Sequence, residues 1–394
     1  HVHSHSAVST YCSLPTMQYL SPSFSFSLFS SKILPPVPCL LTFFIFMVII
    51  LATPAPALKL PPNVTVPAII AFGDSIVDSG NNNHIKTLVK CNFPPYGRDF
   101  MGGVPTGRFS NGRILTDFLV EEFAIKQYMP AYLYPNLGPE DLLTGVSFAS
   151  GGSGYDPLTS KITLVISLSQ QLENFKEYIQ KLKQLVGEEK SQFILNNSIF
   201  IVLTGNNDLF GYFDIPLRRL QYDIHSYTDL LVNLASSFLQ DLYDLGARRI
   251  AVFSVIPVGC VPLQRTVGGG IRRKCANSTN SAAELFNSKL SAEIDALPSK
   301  LPNSTVAYID WYTPVIDVIQ NPKKYGFEQV QRGCCGTGLI EFAILCNKLV
   351  PVCGNDSEYL FWDSGHFTER GYQTIFSLII DKFVSLLFGA QYIM

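Results

Sequence analysis

Charge is scarce in this 394-residue chain: 15% of residues are charged, and 29 basic against 31 acidic side chains leave a formal net charge of −2. That near balance withholds the electrostatic footprint of a nucleic-acid partner or a polybasic membrane patch, and no nucleic-acid partner is expected. Histidine is scarce too. Of six, His1, His3 and His5 stand at the very start, which leaves His84, His225 and His366 for chemistry near neutral pH. No Cys-x-x-Cys pair occurs, and no histidine is interleaved with Cys334-Cys335, Cys346 and Cys353, which disfavours zinc; no metal or other cofactor is expected. No Gly-x-Ser-x-Gly elbow occurs, which disfavours the nucleophile turn of the classical α/β-hydrolases. Internal repeats are absent, and so, past the N-terminal stretch, are low-complexity linkers, which favours one domain. What the chain has in plenty is apolar residues, at 47% enough for a large core.

The stretch through Pro38 is rich in Ser, His and Pro without periodicity and is expected to carry no chemistry. From Leu40 to Ala52 the only polar residue is Thr42. That run is too short to span a bilayer comfortably but has the length of a signal-peptide core, and Ala55-Pro56-Ala57 supplies a small-x-small cleavage site. The sequence therefore predicts a leader and signal peptide over residues 1–57, a single domain over 58–394, an extracellular destination and no stable membrane span after cleavage. Cleavage removes Cys12 and Cys39, leaving Cys91, Cys260, Cys275, Cys334, Cys335, Cys346 and Cys353. In a secreted chain these read as disulfide partners with one left over. At least one bridge is expected from Cys334 or Cys335 to Cys346 or Cys353, and another from Cys260 to Cys275 across Gly268-Gly269-Gly270. Sequons at Asn63, Asn196, Asn277, Asn303 and Asn355 agree with secretion.

The apolar run Val66 to Ala71 breaks off into Phe72-Gly73-Asp74-Ser75, which reads as a buried strand opening into a loop where open α/β sheets place their ligands. A second apolar-to-glycine transition runs from Gly145 to Gly154. A third strand, Ser198 to Leu203, ends in Thr204-Gly205-Asn206-Asn207-Asp208. Helices are expected over Thr116 to Phe123, through Leu168, Leu172, Phe175, Ile179 and Leu182, through Leu230 to Leu245 with Gly246 closing it, around Ala282 to Leu297, and after Thr368 as N-cap. Further strands lie at Arg249 to Ile256 and Val306 to Ile309. Strands alternating with amphipathic helices specify a mostly parallel sheet covered on both faces, with Ser75, Gly152 and Asn207 gathered at one edge.

A serine nucleophile requires a base. His225 reads as a surface residue, and His84 has no carboxylate near it beyond Asp78. His366 follows Asp363 by three residues in Asp363-Ser364-Gly365-His366, a spacing that lets the carboxylate bond Nδ1–H and leave Nε2 facing a hydroxyl. The same pattern also suits a helix-capping aspartate beside an unrelated histidine.

Four blocks, Gly73-Asp74-Ser75, Gly151-Gly152, Gly205-Asn206-Asn207-Asp208 and Asp363-Ser364-Gly365-His366, stand in the order of the SGNH hydrolases. With Arg332-Gly333-Cys334-Cys335-Gly336-Thr337-Gly338, the chain resembles the plant GDSL esterase/lipase family, its extracellular lipase branch in particular, from about Pro67 to Leu387. The resemblance implies a flavodoxin-like three-layer α/β/α fold and a secreted esterase or lipase acting on an acyl-ester or lipid substrate through an acyl-enzyme, in the apoplast or cell wall. It makes Ser75 the nucleophile, His366 the base and then acid, and Asp363 its orienting carboxylate. The oxyanion hole it implies is the Ser75 N–H, the Gly152 N–H and the Asn207 side-chain amide, with Gly151 and Asn206 as neighbours that sequence does not separate from them. Alternatives are acyl transfer to an alcohol acceptor and an inactive lipid- or wall-binding protein; oligomeric state is unknown. Departures from the family pattern are Ile76, where the family name has Leu, Phe367, where Pro is usual, and Ser147, where Asn is frequent. Phe does not restrict the backbone as Pro does, so packing through Phe361, Trp362 and Phe367 is expected to hold the His366 loop.

Overall fold

The computed structural model describes residues 64–389; the expected leader, its cleavage site and Asn63 fall outside them. Four parallel strands, β1 (Ile69–Gly73), β2 (Ile199–Leu203), β3 (Arg249–Phe253) and β4 (Thr305–Ile309), lie side by side in that order. Ile69 pairs with Ile199, Ile199 with Arg249, and Arg249 with Thr305. β1 starts at Ile69 rather than at Val66, and Pro67, which has no N–H to give to a ladder, is a reason for the late start. On the other side of β1, the Ala71 N–H donates to Val146 O at 3.1 Å and the Phe148 N–H to Ala71 O at 2.7 Å, so residues 146–148 act as a short fifth strand. Counted in chain order, the sheet is then 2-1-3-4-5, the flavodoxin-like arrangement, whose ligands bind beside the first strand at its carboxyl end.

The helices that matter here are α1 (Leu115–Glu122), α2 (Pro157–Thr163), α3 (Leu168–Val186), α4 (Asn206–Asp214), α5 (Ile224–Asp244), α6 (Asn277–Ala296) and α7 (Glu369–Phe388). α3, α5 and α6 pack in a row on one face of the sheet, and α1 and α7 on the other, which completes three layers. Aromatic rings weld the layers: Phe72 of β1 meets Phe148, Phe175 and Phe238, while Phe253 of β3 meets Trp311 and Phe383. Every residue of β1 and β2 is buried, as strands covered on both faces require. Local signals end the helices where expected. Gly246, at φ +107°, closes α5 with its N–H on Tyr243 O, and the Thr368 hydroxyl accepts the Gly371 N–H at the start of α7. Among the described residues α7 is long and apolar enough to cross a bilayer, yet Tyr372, Ile375, Phe376, Ile379 and Phe383 are buried in the fold.

A second, two-stranded parallel sheet, β5 (Gln329–Gly333) with β6 (Tyr359–Phe361), was not foreseen from the sequence. Directly after β5 the chain is cross-linked twice, Cys334 to Cys353 and Cys335 to Cys346, and Cys260 is bonded to Cys275 as expected. Cys91 is the buried thiol left over.

Candidate active site

The Ser75 side of the candidate site grows directly out of the sheet. Gly73 ends β1 at φ +139°, and a side chain there would overlap the backbone of Leu203, so β1 can lie against β2 only with glycine at this point. Ser75 follows, 6% exposed. Its loop is tied to the next strand ends by a continuous set of bonds. The Ser150 N–H and the Ser153 hydroxyl donate to Gly73 O at 3.0 and 2.6 Å, and the Asn207 side-chain amide donates to Ser153 O at 2.9 Å. Asp78 accepts the N–H groups of Gly80 and Asn81 on one oxygen and that of Gly151 on the other, at 2.7–2.9 Å.

Those bonds separate the neighbours that sequence left together. The Gly151 N–H is taken by Asp78, whereas the Gly152 N–H and the Ser75 N–H find no acceptor among the described residues. Asn206 is a strut, accepting from the Ile256 N–H at 3.1 Å and facing Asp74 at 3.4 Å. Asn207 is half-buried and spends one amide hydrogen on Ser153 O. The block Gly205 to Asp208, in which the strand was expected to end, opens α4: Gly205 takes φ +110° and the helix begins at Asn206.

The His366 side arrives from the far end of the fold. His366 Nε2 lies 2.8 Å from Ser75 Oγ, and its Nδ1 lies 2.8 and 3.0 Å from the two oxygens of Asp363. Asp363 is fully buried and well supplied with donors: its Oδ1 accepts the N–H groups of Gly365 and His366 at 2.8 and 2.7 Å, and its Oδ2 accepts the Tyr96 hydroxyl at 2.6 Å. The imidazole is clasped by two rings, Phe109 and Phe342, each with its centroid 4.9 Å away. Phe367 is fully buried, stacked on Phe361 and edge-on to Tyr372, so packing holds this loop without proline. Trp362 is buried beside it, its backbone N–H donating to His366 O at 2.7 Å. His84 and His225 are exposed and take no part.

Three further carboxyls sit on the Ser75 side, each buried. Burial pushes Asp74 up to about 7, with the Ile76 N–H and Asn206 pulling the other way. The same desolvation pushes Asp78 up to about 6 and Asp208 up to about 7. Asp208 accepts the N–H groups of Tyr155 and Asp156 and the Thr159 hydroxyl, fixing the loop that leads from Gly152 into α2. Tyr96, pushed well above its ordinary value by burial and by the charge of Asp363, stays a donor. Sequence reasoning missed Tyr96, Phe109 and Phe342.

A hydroxyl bonded to an imidazole that is itself bonded to a carboxylate, beside unpaired N–H groups, is the arrangement of serine hydrolases. A family model described as GDSL-like Lipase/Acylhydrolase matches residues 69–379, and the chain belongs to that family. It is 55% identical to the GDSL esterase/lipase EXL3 of Arabidopsis thaliana over 84% of this chain and 91% of that protein. It is 54% identical to GDSL esterase/lipase At5g42170 of the same plant, over 84% and 89%. The solved extracellular lipase of Streptomyces rimosus covers 80% of this chain and 100% of its own at 12% identity and a TM-score of 0.36, too slight a likeness to carry an argument.

Proposed function

We propose that the protein is a secreted ester hydrolase that works through an acyl-Ser75 intermediate. The observation that carries this is the unbroken chain from Ser75 Oγ through His366 to Asp363, with 2.8 Å at both links. Ser75 Oγ attacks the ester carbonyl carbon as its proton passes to His366 Nε2. The negative oxygen that forms faces the N–H groups of Ser75 and Gly152 and the Asn207 amide. Collapse breaks the carbon–oxygen bond to the alcohol, which leaves with the proton from His366. Water then gives a proton to His366 and its oxygen to the acyl carbon, releasing the acid and restoring Ser75. Asp363 keeps Nδ1 protonated and aims the ring throughout. An alcohol in place of water would give acyl transfer from the same residues.

Secretion is supported by three disulfides, which persist in oxidising compartments, and by the exposure of the sequon residues Asn277, Asn303 and Asn355. Purified mature protein should hydrolyse chromogenic acyl esters, with glycerol added in parallel to read transfer, and a serine-directed phosphonate should label Ser75. Neither turnover nor labelling would leave the inactive binding protein as the better reading. Material recovered from the medium should begin near Leu58.

A further inference from the structure

Behind Asn207 lies a cleft of about 160 Å³ that no residue of the Ser75, His366, Asp363 chain lines, and neither do the rings that clasp the imidazole. Its walls come from α2, α4 and the chain just after α4, where Leu158, Ile162, Phe210, Ile215 and Leu217 supply hydrocarbon. The Gly151-Gly152 pair fixes its direction from the site. A side chain at Gly151 would run into Phe109, whose ring faces His366. A side chain at Gly152 would meet Thr163 Cβ at 3.4 Å, and the Thr163 hydroxyl donates to Gly152 O at 3.1 Å. Thr163 and Asn207 both line the cleft. The imidazole and the cleft therefore stand on opposite sides of the two glycines.

A tetrahedral ester centre bonded to Ser75 has three other substituents. The leaving oxygen must face His366 to collect its proton, and the negative oxygen must face the N–H donors. The acyl chain takes the direction that remains, away from the imidazole. The one cation of the cleft wall is paired within that wall, and the wall's second carboxylate is hydrogen-bonded from outside it. Arg218 donates to both oxygens of Asp156 at 2.6 and 2.7 Å and to Gln221 at 2.6 Å, and Gln264 donates to Asp214 at 2.7 Å.

We propose that this cleft receives the acyl chain of the substrate and that the chain is uncharged and apolar, with about six carbons enclosed, since an apolar cavity of about 150 Å³ takes up benzene. A longer tail would run out over Ile162 and Leu217, which are 41% and 44% exposed. The proposal rests on the ester-hydrolase reading above.

The test is a series of p-nitrophenyl esters from acetate to dodecanoate, run beside alkyl acetates of growing alcohol length. With the natural protein kcat/KM should climb by about fourfold per added acyl methylene and level off near six carbons. Gly211 lies in α4 on the cleft wall, and a Cβ there meets nothing within 4 Å, so Gly211→Leu fills the space without a backbone clash. Its hexanoate-to-acetate ratio of kcat/KM should fall by about tenfold or more. Ile162→Ala, at a half-exposed position, should move the levelling-off to longer chains, and it serves as the test if Gly211→Leu does not fold. The proposal is overturned if hydrolysis persists and neither variant moves the acyl ratio, or if the alcohol series shifts in its place. If no ester is hydrolysed and Ser75 takes no phosphonate, the ester-hydrolase reading fails first and the cleft assignment with it.

Discussion

Ser75 stands two residues beyond the end of a strand buried on both faces, and its loop is bonded to two neighbouring strand ends. His366 stands on a loop between a three-residue strand and α7, beside a segment that two disulfides close on itself. The first half of the site is part of the main sheet, and nothing short of unfolding the sheet should displace it. The second half has few residues of regular structure and draws its rigidity from cross-links, from Phe109 and Phe342 against the imidazole, and from the donors around Asp363. Local stability follows such differences in packing and bonding. The chemistry needs both halves within one hydrogen bond of each other, so the cross-linked half sets how far the site survives stress.

The largest effect belongs to the sheet-borne half and should be chemical rather than structural. Asn207→Ala removes one donor from the proposed oxyanion hole and one bond, the 2.9 Å contact to Ser153 O. Turnover should fall by about 10²–10³, the usual cost of losing an oxyanion donor. Stability should change by only about 1 kcal/mol, because the side chain is half-buried and a single neutral hydrogen bond is lost. Asn206→Ala should invert this pattern, costing stability first, since both ends of that amide hold other loops. Steady-state kinetics and urea unfolding on the two variants decide it; equal losses of turnover at equal stability would show that the two asparagines are not divided between chemistry and support.

The cross-linked half should fail differently. Replacing Cys334 and Cys353 together by Ser opens a loop of 19 residues, which in the chain-entropy account costs about 3 kcal/mol. Because Cys334 follows β5 directly and its N–H bonds Phe361 O at 3.0 Å, the loss falls on the support of the His366 loop. Activity should therefore vanish in urea before the circular dichroism of the main sheet changes, whereas in the natural protein the two should fall together. Coincident transitions in the variant would mean that the two halves unfold as one.

The two halves were also unequally legible. Strands that end in glycine or asparagine announce themselves through apolar runs of the right length, so β1, β2 and the edges bearing Ser75, Gly152 and Asn207 could be read directly, with errors of a few residues where Pro67 and Gly205 shift a boundary. The four-block resemblance added His366 and Asp363, which Asp-x-x-His alone would not have raised above a helix cap. Tyr96, Phe109 and Phe342 left no local signal. Tyr96 meets Asp363 across 267 residues, and nothing in its surroundings, Phe93-Pro94-Pro95-Tyr96-Gly97, marks a hydrogen-bond donor for a distant carboxylate. β5 and β6 were missed for a related reason: short, partly polar strands pair there under the constraint of cystines, not of an apolar period. The disulfide partners themselves could be narrowed but not fixed, since adjacent cysteines are interchangeable until the fold orients them.

The smallest effect tests whether the cross-linked half needs more than its cystines. Tyr96→Phe keeps a ring of nearly the same shape against Phe93 and Trp362 and deletes only the hydroxyl that Asp363 Oδ2 accepts at 2.6 Å. Asp363 would keep His366 Nδ1 on that oxygen and the Gly365 and His366 N–H groups on the other, so the carboxylate stays bound but is freer to rotate away from the imidazole. kcat should drop by about tenfold, equivalent to about 1.4 kcal/mol in the barrier, with KM little changed, because the acyl and alcohol parts of the ester do not meet this hydroxyl. Burial and the charge of Asp363 hold the phenol well above its ordinary value, so in the natural protein this bond should persist past about pH 10, where an exposed tyrosine is half ionised. An unchanged kcat would mean that the backbone donors aim Asp363, and the rings the imidazole, without the hydroxyl. The cross-linked half would then need only its cystines, its two rings and those backbone donors.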